Sequence, residues 1–582
     1  MIAKNNTFKI LSLENILIFL ALIAVGMRFI FLGTINGGLH VDEAYAGYEA
    51  YSLYNYGVDS WGYHNPVYFI SWGSGMNVLA SYLMIPFVAL LGNSVWAIRL
   101  PQAILQSLAI LTVYKILKMT VNKRLAAYTA FFMAVCPWHF MLSRWGLESN
   151  MCVAFITFGS YFLIKYYMIH IGMLETGKKG DYNLLLSALM FGLSLYCYAA
   201  DWVPVAAILS FWLIYYIIFN IVSAKKTSDN NSENATSENA AGRKHKIGYI
   251  IGAILILAVF ALPLLLFLLV NMGYIPEIRS FISVPKMVVF RNDELGANLH
   301  SRIHSLAYIL IKGTDVDGFR MWNAYQPYGL FYIFSLPVMM VGVFGACRQV
   351  VVDFKKGKFS FAFMLLGYSV IATCIAMVQG IDIIQINYLI ITMVIYIGIG
   401  IYVFSKVCFK KEKDKTGIIN LGSLLIIAYL VSFIFFSRSY FGDFQKRIGP
   451  CQMRGADKAL DYALNLYQEK DGQSHISVTP GLRHANILFY TASSPYDFID
   501  TVTWQNYPDK YLNTASFGPY IWEDYRNEHI EIEDEEEQPE PLYTLNPDNI
   551  YIIEKEETDQ FIIQGYDVTY FQDTAVAIKN NR

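Results

Sequence analysis

Apolar segments of about twenty residues recur along this chain, and no other feature of the sequence restricts its fold as much. A helix needs about that length to cross roughly 30 Å of hydrocarbon, and in lipid a spanning segment must satisfy its own backbone hydrogen bonds. Such runs lie near 12–34, 98–118, 125–142, 150–170, 184–200, 204–222, 248–270, 328–347, 360–379, 389–407 and 416–436. A water-soluble protein has no use for them. Composition agrees: 55% of the 582 residues are hydrophobic and 15% charged, against about 25% charged in soluble domains. The expected fold class is an α-helical polytopic membrane protein with about 11 transmembrane helices.

Cytoplasmic loops of membrane proteins carry an excess of Lys and Arg. Lys4 and Lys9 precede the first run. Later basic clusters (Lys123-Arg124, Lys178-Lys179, Lys225-Lys226 with Arg243 to Lys246, Lys355 to Lys358, Lys410 to Lys415) fall in every second loop. This places the N-terminus in the cytoplasm and the C-terminus outside, in a multi-pass plasma-membrane protein. The first run lacks a small-residue cleavage site and reads as a retained span. The polar stretch 223–247 reads as a disordered cytoplasmic linker.

Three outer segments exceed the length of turns: 35–97, 271–327 and 437–582. Counting the apolar stretch Val78–Leu91 as a span would move Lys123-Arg124 outside and invert every later loop, so it reads as an interfacial helix. The tail changes character. Met453 to Tyr467 has helical apolar spacing, while 475–479, 550–554 and YDVTYFQDTAVAIK read as strands and 531–541 as an acidic loop. The division is a transmembrane domain, 1–436, followed by a small extracytoplasmic α/β domain, 437–582, without a catalytic motif.

A net charge of −2 gives no reason to expect nucleic acid. Cys136, Cys152, Cys197 and Cys374 sit inside apolar blocks and Cys451 has no near partner, so neither a disulfide framework nor a metal pattern is present. No cofactor is expected.

The first outer loop holds the chemistry. Asp42 and Glu43 open a helix-like stretch rich in rings (Tyr45, Tyr48, Tyr51, Tyr54, Trp61, Tyr63), followed by His64-Asn65-Pro66 and SWGSG. Ring faces stack on sugars, and carboxylates accept from hydroxyls and act as bases. Acids at a helix start also serve as caps and suit the dipole, and aromatic residues also form interfacial belts.

With these residues in view, the chain resembles the GT-C superfamily of lipid-dependent glycosyltransferases, in the bacterial branch of protein O-mannosyltransferases and lipid A aminoarabinose transferases. The resemblance rests on Asp42-Glu43, His64-Asn65-Pro66, Arg99-Leu100-Pro101, and Ser143-Arg144 with Glu148. It covers roughly 12–440 in organisation. Some relatives carry a basic residue where this chain has Tyr45. The resemblance implies a polyprenyl-phosphate sugar donor and a protein or glycan acceptor at the outer face. It makes Asp42 the general base of an inverting transfer, with Glu43 either orienting the acceptor or serving as a helix-start acid. Arg144 is the candidate for the donor phosphate, against an i, i+4 pair with Glu148 or a snorkelling interface arginine. Arg99 reads similarly, with an interfacial anchor as its alternative. Asp201, before a Pro-marked turn, either lines the sugar cavity or solvates a loop. Because Asp42 and Glu43 are adjacent and point to different helix faces, no obligatory metal is expected. Two other readings compete. One is a transporter of lipid-linked saccharide, for which inverted repeats are missing. The other is a non-catalytic assembly protein.

Overall fold

A computed structural model describes residues 12–35, 37–174, 180–228, 238–290, 299–314, 322–406, 421–470, 472, 474–523, 525 and 543–579, with backbone only over 224–246. The stretch 223–247, expected as a disordered linker, is helical up to Ser228 and again from Glu238. Outside the described residues lie Lys4, Lys9, Lys178, Lys179, the run 410–415, the linker residues 229–237 and the acidic loop 531–541. Their expectations have no counterpart below.

The bundle is built from α1 (Leu13–Met27), α2 (Val41–Tyr56), α3 (Leu79–Leu91), α4 (Val95–Thr120), α5 (Lys123–Val135), α6 (Pro137–Leu142), α7 (Glu148–His170), α8 (Tyr182–Ser194), α9 (Trp202–Ser228), α10 (Glu238–Asn271), α11 (Leu299–Lys312), α12 (Ser335–Lys355), α13 (Phe361–Gln379), α14 (Asn387–Phe404) and α15 (Leu421–Tyr440). Among the described residues, 8 helices are long and apolar enough to cross a membrane. The other three expected spans are helical but shorter or broken: α1, α8, and 125–142, which is divided between α5 and α6.

That break has a local cause and a distant remedy. Pro137 has no N–H to offer the carbonyl four residues back, so the end of α5 is left with orphan carbonyls. Arg28 answers them. Its Nη2 donates to Ala134 O at 3.0 Å and Met133 O at 3.3 Å, and its Nη1 donates to His139 O at 3.0 Å. The end of α1 is served in turn by Arg144, whose Nη1 donates to Arg28 O at 2.6 Å and Ile30 O at 2.9 Å. Two buried guanidiniums thus replace the hydrogen bonds that two interrupted helices lack.

The C-terminal part holds α16 (Asp443–Ile448), α17 (Ala456–Glu469), α18 (His484–Thr491), α19 (Pro495–Thr501) and α20 (Thr558–Ile563) around one sheet. Its strands are β1 (Ile476–Val478), β2 (Thr503–Trp504), β3 (Thr514–Phe517), β4 (Tyr520–Ile521), β5 (Ile550–Glu554), β6 (Asp567–Phe571) and β7 (Thr574–Ile578), in the order β2-β3-β4-β1-β5-β7-β6. β1 runs parallel to both β4 and β5, with Ile476 opposite Tyr520 and Ile550. β1 and the first four residues of β5 are buried throughout, as expected of central strands covered on both faces.

α2 joins the two halves. It is buried almost all round, and small residues make that possible: a Cβ on Gly47 would stand 2.6 Å from Ile98 of α4 and 2.8 Å from Phe489 of α18. Polar contacts complete the seam. Tyr48 Oη donates to Ser493 O at 2.9 Å, Tyr51 Oη to Ala492 O at 3.2 Å, and Asn486 Nδ2 to Leu39 O at 3.2 Å. The C-terminal domain is therefore seated directly on the helix whose first turn carries Asp42.

Candidate active site

Where α2 starts, the chain leaves a turn at Gly37 and Gly38 and His40 caps the helix. Its Nδ1 accepts the Asp42 N–H at 3.2 Å, and Glu43 reaches back to the His40 N–H at 3.4 Å. The two adjacent acids then diverge. Glu43 is fully buried and meets Arg99 through two bonds of 2.9 Å, from Nε to Oε1 and from Nη2 to Oε2. Gly146 N–H adds a third at 2.7 Å. Asp42 points the other way. Its carboxylate is 42% exposed and accepts a 3.2 Å bond from Trp72 Nε1.

Asp42 opens onto a cavity of about 710 Å³ enclosed by the first loop, the ends of α7, α9 and α10, and the C-terminal domain. Glu148, Tyr68, Tyr198, Trp72, Trp202, Phe267, Gln379 and Gln385 line it, with Arg483, Tyr511 and Asn513 on the C-terminal side. Glu148 stands at the first turn of α7 and accepts the Asn77 N–H at 2.5 Å. The wall combines ring faces, amides and two carboxylates, a composition suited to a polyhydroxylated ligand.

The SWGSG segment forms one wall and is pinned from two sides. Trp72 O accepts the Leu512 N–H at 2.7 Å, and Gly73 O accepts the Val289 N–H at 3.1 Å. Gly73 and Gly75 have φ of +105° and +106°, and a Cβ on Gly75 would lie 2.4 Å from Tyr68. Only glycine allows this approach. Trp72 also packs edge-on against His484 at 5.1 Å. Burial pushes His484 down to about 3, so its ring is neutral, and Thr514 Oγ1 lies 2.8 Å from its Nδ1. Trp72 thus holds Asp42 from a base supplied by the C-terminal domain. Replacing Trp72 with Phe, which keeps an aromatic ring and removes the N–H, is expected to lower any turnover that depends on Asp42 about tenfold, the worth of one charge-assisted hydrogen bond. Steady-state kinetics on the purified variant would measure it.

The remaining expected site residues lie elsewhere. Arg99 spends its other N–H groups on Leu32 O, Ile35 O and Gly38 O at 3.0 to 3.3 Å. Arg144 also contacts Tyr440 Oη at 3.2 Å and is not paired with Glu148. Neither arginine lines the cavity. His64 Nδ1 bonds Gly57 O at 2.9 Å and Asn65 Nδ2 donates to Phe281 O at 3.0 Å. The first bond is internal to the first outer segment, while the second, with the Pro66–Ser283 bridge, docks the second outer segment on the first. Asp201 is buried against Cys152, directly behind the cavity residues Tyr198 to Ala200. Asn387, at the start of α14, is buried and accepts from Trp138 Nε1 at 3.0 Å.

Beside the cavity, Glu49 and Asp59 are fully buried, and burial raises both above the ordinary carboxylate range. Ser60 bonds Glu49 through both its hydroxyl and its N–H. A second cavity, about 810 Å³, lies at the opposite end of the bundle among Arg348, Lys358 and Lys406. The carboxylate in its wall, Asp353, is already bonded by Gln349 and Ser360 at 2.7 and 2.8 Å. Among the described residues, no group of three or more His, Cys, Asp or Glu converges on a common point.

Arg483, Tyr511 and Asn513 escape the motif reading because they lie over 400 residues from Asp42. One signal does point to Arg483: it follows the TPG turn after β1, and ligands of α/β units gather at such strand ends.

Known proteins agree with this architecture. Residues 77–227 match the family model described as dolichyl-phosphate-mannose-protein mannosyltransferase. No curated protein matches the sequence. The structure is similar to that of ArnT from Cupriavidus metallidurans in the apo state, at 10% identity and a TM-score of 0.51, over 96% of this chain and 97% of that one. The same protein bound to undecaprenyl phosphate aligns at 10% identity and 0.49, over 97% and 98%. An Archaeoglobus fulgidus oligosaccharyltransferase, tethered to an acceptor peptide with the NVT sequon, aligns at 13% and 0.45, over 82% of this chain and 63% of that one. The chain is a multi-pass membrane protein whose fold is similar to that of ArnT from Cupriavidus metallidurans over nearly its whole length.

Proposed function

We propose that the chain transfers a sugar from a polyprenyl-phosphate carrier to a hydroxyl of a protein or cell-envelope glycan at the outer membrane face. The observation that carries this reading is the pair of carboxylates in one aromatic cavity, of which Asp42 is the exposed member. In this reading Asp42 takes the acceptor proton as the hydroxyl oxygen attacks the anomeric carbon with inversion. The bond from that carbon to the phosphate oxygen breaks, and the polyprenyl phosphate leaves with its electron pair. Phosphate is a competent leaving group, so what the protein supplies is a base, positioning and charge. A lipid carrier suits a cavity whose wall includes Trp202 and Phe267, at the ends of membrane-spanning helices. The ArnT whose fold the chain shares has also been solved with undecaprenyl phosphate.

The test is turnover. Protein reconstituted in lipid and given a panel of polyprenyl-phosphate sugars with envelope acceptors is expected to consume one donor and release polyprenyl phosphate. If no donor is consumed and a lipid-linked saccharide crosses the bilayer instead, the chain is a transporter.

A further inference from the structure

The cavity has a charge imbalance that its membrane half does not resolve. Of the residues lining it, Asp42 and Glu148 carry carboxyl groups and Arg483 is the one cation. An anionic ligand entering beside the exposed Asp42 carboxylate is repelled unless a cation meets it. Arg28, Arg99 and Arg144 cannot serve, because each is fully buried and bound to backbone carbonyls or to Glu43. Arg483 differs from them. It is exposed to the cavity, its Nη1 donates to the neutral Asn513 Oδ1 at 2.6 Å, and it makes no ion pair among the described residues. That bond orients the guanidinium without neutralising it, which leaves the remaining N–H donors for a ligand.

Arg483 is also held in place. It stands between β1 and α18, and α18 is fixed to α2 through Asn486 and Leu39 O. Asn513 is itself held by a 2.7 Å bond from its N–H to Asn506 Oδ1. The neighbouring Leu512 N–H closes on Trp72 O at 2.7 Å. The same contacts that seat the C-terminal domain therefore fix the distance between Arg483 and the Asp42 wall.

We infer that the C-terminal domain completes the active site by supplying its oxyanion-binding group, Arg483 held by Asn513, which takes a phosphate or carboxylate oxygen of the reactants. The inference rests on the proposed transfer reaction for its meaning, but its test does not require turnover. A guanidinium binds such oxyanions through paired N–H donors, so the charge and the fork both matter.

Two sources could bring the anion: the phosphate of the lipid carrier, or an anionic group on the acceptor. Full-length protein in lipid nanodiscs would be titrated with undecaprenyl phosphate and, separately, with inorganic phosphate. Binding would be read from the emission of Trp72 and Trp202 in the cavity wall. Arg483→Gln is expected to weaken at least one of these by tenfold or more, and Arg483→Lys to fall between it and the wild type. Wild-type binding should weaken as salt is raised. Loss of undecaprenyl phosphate binding assigns the subsite to the donor. Loss of inorganic phosphate binding alone assigns it to the acceptor. Should Arg483→Gln lower the melting temperature, the Lys variant decides, because a purely structural arginine would show no salt-sensitive binding for Lys to rescue. Unchanged affinity for both probes, or no binding of either to the wild type, overturns the inference. A protein that binds phosphate through Arg483 yet consumes no donor would overturn only the transfer reaction.

Discussion

Substituting Asn for Asp42 is expected to lower sugar transfer by about 10²–10⁴-fold, the usual contribution of a positioned general base. Asn has nearly the same size and still accepts the Trp72 Nε1 bond seen at 3.2 Å, so the cavity keeps its shape. What it loses is basicity. The variant should insert and melt like the wild type, since a half-exposed carboxylate in a helix's first turn contributes only about 0.3–1 kcal/mol through the dipole. Donor affinity should change little while turnover collapses. Asp42→Glu keeps the base but advances it by one methylene, and should retain intermediate activity. Kinetics of both variants against one donor would separate loss of a base from loss of shape.

The second large effect falls on stability. Arg99→Met removes the partner of Glu43 at a site where the two side chains are 1% and 0% exposed. The Gly146 and His40 N–H bonds to Glu43 remain, but its charge is left uncompensated, and the carbonyls of Leu32, Ile35 and Gly38 lose their donor. Breaking a buried pair on one side costs about 3–5 kcal/mol. The expected result is a sharp fall in melting temperature and in yield of monodisperse protein. Replacing both partners with apolar residues often costs much less. Arg99→Met with Glu43→Leu should therefore be more stable than Arg99→Met alone, by a margin that a double-mutant cycle would measure. If Arg99→Met proved as stable as the wild type, the clamp would have no structural weight.

This contrast shows what the sequence could reveal. Asp42 and Glu43 look equivalent as letters. Their divergence depends on Arg99, 56 positions away, and no local pattern announces it. Arg144 reads as a phosphate ligand beside Glu148, yet it caps the end of α1 because that helix stops at Met27 and leaves carbonyls to satisfy. Strand runs such as IYIIE are legible because fully buried strands need uninterrupted apolar side chains. β2, β3 and β4 are two to four residues long and carry too little pattern to register. The first loop is recognisable as the seat of chemistry from its acids and rings, but the far wall of the cavity comes from a domain whose sequence shows no motif. Its role depends on where tertiary packing folds it.

The account stands on the Asp42 position being open to the outer side of the membrane through the cavity. Asp42→Cys in a Cys451→Ser background, expressed in intact cells, would be treated with a membrane-impermeant thiol reagent. Of the other described cysteines, Cys136, Cys152 and Cys197 are buried and should not compete, while Cys347 and Cys374 are exposed and are replaced by Ser as well. Labelling from outside, slowed when undecaprenyl phosphate is supplied to the purified protein, is the expected result. Labelling that occurs only after the membrane is permeabilised, or none at all, would contradict it.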